Sequence, residues 1–190
     1  MSVHQDRRWW LPLVLAVVIS SAGVYQWYLQ HPHKTPLSGD YVDTIVEGLQ
    51  VLRYNEQGRL SQDLRSPHAE HYAQSKKTHF QRPIMLVYPT EASKSIWKIS
   101  AGSGWLSGQK DRIDLSEAVD MHETSAHGKQ LLTPEMTWYM DKKLAVTAAA
   151  LVATEPGVRV TAVGATFDQS ADLIRLLSRV TIRYQPKESV

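Results

Sequence analysis

Ser95–Val119 reads SIWKISAGSGWLSGQKDRIDLSEAV. Trp97, Ile99 and Ala101 alternate with Lys98 and Ser100. After a glycine- and charge-rich turn, Ile113 and Leu115 alternate with Arg112, Asp114 and Ser116. A period of two means strands with one buried face. Ser95–Ser107 and Arg112–Thr124 are therefore expected to pair, with a kink or bulge at Ser116–Ala118, where the alternation slips. The stretch holds no catalytic constellation, only a long apolar β-face.

The same punctuation recurs along the chain. Val46–Tyr54 leads into Asn55-Glu56-Gln57-Gly58, a hairpin turn with glycine where a positive φ is needed. Arg59–Tyr72 follows, and its Ser66-Pro67 implies an edge or a bulge. Phe80–Tyr88 ends at Pro89. Leu131–Met140 and Leu144–Ala153 flank the turn Asp141-Lys142-Lys143, and Val158–Phe167 follows Pro156-Gly157. Ala171–Tyr184 closes the chain. Its Leu173–Leu177 is read as strand because Val180, Ile182 and Tyr184 continue an alternation with Arg179, Thr181 and Arg183. No long amphipathic helical period follows residue 40, so the expected class is all-β, a sandwich or roll. The expected core face carries Trp97, Ile99, Ile113, Leu115, Leu132, Met136, Trp138, Met140, Val158, Val160, Phe167, Ile182 and Tyr184. Its methionine and aromatic content suits an adaptable apolar surface, and an ordinary core is the plainer reading.

Ahead of this body, Trp9–Leu29 carries no formal charge, matching the roughly 20 residues that a bilayer-crossing helix needs. Trp9 and Trp10 mark one end, and Tyr25, Trp27 and Tyr28 the other, as interfacial anchors do. Arg7 and Arg8 favour a cytoplasmic N-terminus and an exported body. Ser20-Ser21-Ala22 offers a signal-cleavage alternative, but the apolar run continues past it. The expected organisation is a short tail (1–8), a membrane helix (9–29), a Pro/Gly/polar linker (30–40) and a β-domain (41–190).

Removing Arg7 and Arg8 from the 21 Lys/Arg and Asp6 from the 19 Asp/Glu leaves the body at +1. That balance carries no nucleic-acid footprint. With no cysteine, thiol catalysis and cysteine zinc sites are excluded, and the exported body must rest on its core. His68 and His71 should fall on opposite faces of a strand, and no third ligand accompanies them, so no metal or cofactor is expected. Gly102-Ser103-Gly104 lacks the strand-to-helix setting of a nucleophile elbow and reads as a turn. Asp111 and Asp114 read as a solvated hairpin tip, so no enzymatic activity is expected. Arg175, Arg179 and Arg183 share a strand parity; they are either a solvated face or a contact for phosphate groups.

The order of these elements resembles the LptC family of lipopolysaccharide export. The matching residues are Trp97-Lys98-Ile99-Ser100-Ala101, Ile113-Asp114-Leu115, Val119, Leu132-Thr133-Pro134-Glu135, Tyr139, Gly157 and Gly164, together with the apolar N-terminal span. The resemblance implies a twisted, open β-jellyroll anchored in the inner membrane with its C-terminal domain in the periplasm. It implies transfer of lipopolysaccharide from the LptB–LptF–LptG transporter to the bridge protein LptA, with acyl chains inside the jellyroll. The implied lipid groove is Trp97, Ile99, Ile113, Leu115, Met136, Trp138, Met140, Val158, Val160, Ile182 and Tyr184. The implied partner edges are Leu49 and Val51 near the start, and Gly164, Val180, Thr181 and Ile182 near the end. Unpaired strand edges suit end-to-end β-augmentation. Each buried methylene contributes about 0.8 kcal/mol, so several fully enclosed acyl chains would approach the affinity ceiling near ~20 kcal/mol; a partly open groove is needed for release. A tethered scaffold that binds partner β-domains and no lipid is the competing reading. The two differ in how tightly Trp97, Met136 and Trp138 pack.

Overall fold

The computed structural model describes residues 39–89, 95–125 and 128–184. The expected tail, membrane helix and most of the linker lie outside the described residues.

Among the described residues, eleven strands form one antiparallel sheet: β1 (Val42–Tyr54), β2 (Leu60–Tyr72), β3 (Thr78–Gln81), β4 (Ile84–Val87), β5 (Trp97–Ser100), β6 (Ser103–Leu106), β7 (Arg112–Glu123), β8 (Gln130–Tyr139), β9 (Leu144–Glu155), β10 (Val158–Asp168) and β11 (Leu173–Tyr184). β1 pairs with β2, whose other edge takes β4 and then β3. β5 and β6 carry the pairing on to β7, and β8 to β11 follow in sequence order. β1 and β11 are the two free edges. The sheet closes on itself across the core. Leu49 packs against the core cluster, Arg53 Nη2 reaches Asp141 at 2.6 Å, and Gln169 Nε2 donates to the Tyr88 carbonyl at 2.6 Å.

The turn chemistry follows the residues. Gly58 adopts φ 72°, and the Asn55 side chain accepts from the Gln57 and Arg59 N–H groups at 3.1 and 2.9 Å. The expected slip at Ser116–Ala118 is present. Glu117 and Ala118 both take positive φ, and the β7–β8 register shifts between Ser116 and Val119.

That bulge belongs to a line of irregularities crossing the whole sheet. Gly48 takes φ 65° in β1, facing Pro67 of β2. Pro67 sits where β2 exchanges β4 for β3 as its neighbour. Arg82-Pro83 separates β3 from β4, and Ala101-Gly102 separates β5 from β6. Beyond Glu117–Ala118 the line runs through Pro134 of β8, Ala148–Ala149 of β9, Gly164 of β10 (φ 76°) and Arg179 of β11 (φ 50°). We call it the crease. Bulged strands bend and twist more strongly, and the bend lets one sheet fold over its own core.

The crease explains the departures from expectation. Phe80–Tyr88 and Ser95–Ser107 are each two short strands, because the chain breaks pairing at Pro83 and Gly102. Gly102-Ser103-Gly104 is the entry to β6 rather than a turn. β2 is an interior strand, so Pro67 marks a break in pairing and not an edge. In β8 the buried face switches from Leu131 and Thr133 to Met136 and Trp138, leaving Leu132, expected in the core, 42% exposed.

Candidate functional site

The inner apolar face is built by alternation on β4, β5, β7, β8 and β10. Trp97, Ile99, Ile113, Leu115, Met136 and Trp138 are buried within it, along with Met121, Leu131 and Phe167. Trp97 packs against Phe167 with ring centroids 4.7 Å apart. Two polar atoms interrupt this surface. The Nε1–H groups of Trp97 and Trp138 are buried without an acceptor among the described residues. An unmatched buried donor costs about 1–3 kcal/mol.

Towards the free edge at β11 the same face opens. Val158 and Val160 are half-buried. Tyr184 and Ile182, which pair with them, are 77% and 52% exposed, and Val180 is 46% exposed. Ile182 and Tyr184 thus keep the expected inner parity but are not core, because no second layer covers the end of the last hairpin. Met140 is half-buried against the core. The other lip is β1, whose inner positions Val46 and Val51 are 37% and 45% exposed. The eleven expected groove residues therefore divide into six sealed, three half-open and two exposed at a lip. The exposed Val46, Val51 and Val180 were not among them. Period two gave their direction, but nothing in the sequence marks where cover ends.

The expected edge residues are also sorted. Leu49 and Val51 lie on β1, and Val180, Thr181 and Ile182 on β11, both free edges. Gly164 does not: β10 is paired on both sides. Gly164 serves the crease, since a Cβ there would meet Leu177 at 3.0 Å in a backbone with φ 76°.

The outer face carries a cluster of titratable groups. His68 binds Glu47 at 2.7 Å and Glu70 at 3.2 Å, joining β1 to β2. Hydrogen bonds to Glu47 and then Glu70 raise the His68 pKa, while His68 lowers that of Glu70. His79 donates to or accepts from Ser103 Oγ at 2.9 Å and stacks on Trp105. His71 lies on the opposite face from His68, with the parity of buried Ala69, and pairs with Thr78 Oγ1 at 3.1 Å. Asp63 is pushed up by burial, but bonds from Arg65 and Gln50 more than offset this and leave its pKa lowered. Asp111 is held by the Ser107 hydroxyl, and Asp114 accepts from Thr137 at 2.8 Å. Every one of these carboxylates is engaged in a structural contact.

The arrangement is thus a folded single sheet with an apolar interior, flared lips and free edges at both ends. The crystal structure of LptH, the LptA-homologous periplasmic component of the lipopolysaccharide transport device of Pseudomonas aeruginosa, is similar in fold. The match has 7% identity, covers 66% of this chain and 95% of that one, and has a TM-score of 0.51. No curated protein sequence matches the chain. The family model for lipopolysaccharide assembly, LptC-related, matches residues 13–185; with that span and this fold, the chain belongs to the LptC family of lipopolysaccharide transport.

Proposed function

We propose that this chain is a membrane-anchored periplasmic module that receives lipopolysaccharide from the LptB–LptF–LptG transporter and passes it to LptA, its acyl chains riding on the inner face. The observation that carries this reading is the continuity of that face, from the half-buried Val158 and Val160 to the exposed Val180, Ile182 and Tyr184. Acyl chains enter at this lip. Sealed Trp97, Met136 and Trp138 are reached only when the two halves of the sheet part. A lipid ester or amide carbonyl drawn inward then meets the unpaired indole N–H groups of Trp97 and Trp138. The β1 edge docks on the transporter's β-domains and the β11 edge on LptA, both by strand addition.

The scaffold reading draws support from the same six sealed residues, since Trp138 is 0% and Trp97 1% exposed. Photo-crosslinkers placed in cells decide between them. On the lipid reading, Val160 and Ile182 trap lipopolysaccharide readily. Trp97, Leu115 and Trp138 do so only while the transporter is hydrolysing ATP, and outward Lys98, Asp114 and Thr137 never do. Trapping at none of the inner positions, with the chain still assembled on its transporter, establishes the scaffold.

A further inference from the structure

The crease also shapes the opposite face of the sheet. There, an open trough of about 690 Å³ runs across β7 to β11. Its outward-facing walls are Leu132, Pro134, Ala150, Val152, Thr161 and Val163. The pairs Leu132↔Val152, Val152↔Thr161 and Ala150↔Val163 are direct cross-strand neighbours, so these side chains form two adjacent rows. They alternate with the inner-face side chains of these strands, such as Leu131, Leu151 and Ala162, which are buried; Val119, Thr133, Leu151 and Ala162 also border the trough. The volume lies within the range of about 300–1,000 Å³ typical of small-ligand sites.

The trough has a charge direction. At the β7 end Asp120 faces Leu132 across the strands, and its carboxylate is engaged by Gln130 at 3.0 Å and His122 at 3.2 Å. At the β11 end Arg179 lines the trough. One row further, Arg159 and Arg183 are direct cross-strand partners, on the face opposite Val160 and Ile182. Like charges placed directly opposite one another are destabilising, and no carboxylate contacts Arg159, Arg179 or Arg183 among the described residues. An apolar channel with guanidinium groups at one end selects a ligand with a tail and an anionic head.

We propose that this outer trough binds one fatty-acyl chain with an anionic head group, the tail along Leu132, Pro134, Ala150 and Val152 and the head at Arg179, with Arg159 and Arg183 behind it. This site lies on the other face from the inner groove and does not depend on it. A diazirine-bearing palmitic acid tests it on the full-length chain in phosphatidylcholine nanodiscs, with labelled residues mapped by mass spectrometry. Labelling should concentrate on the trough peptides of β8 and β9. Leu132→Glu should reduce it about tenfold, the equivalent of roughly two buried methylenes. Arg179→Gln should reduce labelling by palmitic acid but leave that by the equally long diazirine hexadecanol unchanged. Circular dichroism of each variant separates loss of the site from loss of the fold, and Val152→Asp supplies a second variant if Leu132→Glu unfolds. Equal labelling of trough and remaining surface overturns the proposal, as does equal response of acid and alcohol to Arg179→Gln. So does a shift from dimer to monomer on Leu132→Glu without palmitic acid, which would make a second copy the occupant. Inner-face crosslinking at Val160 and Ile182 is unaffected in every case, so failure here leaves the lipopolysaccharide reading standing.

Discussion

Glu117 and Gly102 form the tightest residue-level dependency in the crease. The Gly102 N–H donates to the Glu117 carbonyl at 2.9 Å. A Cβ on Gly102 would stand 2.6 Å from the Glu117 Cβ and 3.0 Å from its carbonyl oxygen. Glu117 itself is held at φ 64°, where a side chain is strained. Gly102→Ala should therefore cost about 1–3 kcal/mol by overpacking. Glu117→Gly should be neutral or stabilising, by up to about 1 kcal/mol, because glycine adopts this φ freely. The double variant should lose less than the sum, since the clashing side chain is gone. Chemical denaturation of the four proteins gives the coupling, and strict additivity would contradict the contact. At this scale the sequence was partly legible. The slipping period at Ser116–Ala118 announced the bulge. Leu132 misled because Leu131 and Leu132 are both apolar, and the parity switch at Pro134 alone decides which one is buried.

Among the elements, β1 is an edge strand, held from one side. Among the described residues it pairs only with β2, and of its side chains Leu49 packs against the core. Glu47–His68–Glu70 fastens it from the outer face, with Tyr72 and His79 also near Glu70. The His68 pKa is raised above its ordinary 6.5. This contribution to pairing is therefore complete below pH 6.5 and is lost as pH rises through the folded value. Glu70 is lowered from 4.5, so its share is present above pH 4.5 and disappears as pH falls through the lower folded value. Amide exchange in Thr44–Leu49 should be slowest between pH 4.5 and 6.5 and should quicken as pH rises through the raised His68 value, after correction for the intrinsic rate. His68→Gln should remove that pH dependence; a profile unchanged by His68→Gln would rule out the fastening. The order of strands was readable from period and turn residues. The splitting of two predicted strands was not, although Pro83 and Gly102 stood at the breaks. A proline or glycine between apolar runs does not reveal whether the chain turns or only changes neighbours.

For the whole molecule, the proposed function makes the two free edges set the direction of assembly. A proline at Thr181 removes a main-chain donor from β11. Thr181→Pro, or deletion of Leu177–Val190, should abolish capture of LptA while the complex with LptB–LptF–LptG still purifies intact. If LptA is still captured, or the transporter is lost first, the proposed polarity is reversed. The all-β class and the overall resemblance were legible in the sequence, since alternation and spacing persist through the chain. The open lip was not: Val160, Ile182 and Tyr184 alternate just as sealed strands do, and exposure there depends on which layer happens to lie opposite.

The crease has one more consequence, for how such sheets join. A flat edge accepts an incoming strand in several registers, and each one-residue slip turns its apolar side chains to the wrong face. An edge bent at a fixed position does not. At β11 the bend falls at Arg179, and at β1 at Gly48. A second creased sheet can continue either edge smoothly only when its own bend meets that residue. If such sheets join by strand addition as proposed, the irregularity works as a keyway: it admits one alignment, and in that alignment the apolar faces of two molecules run on as a single track.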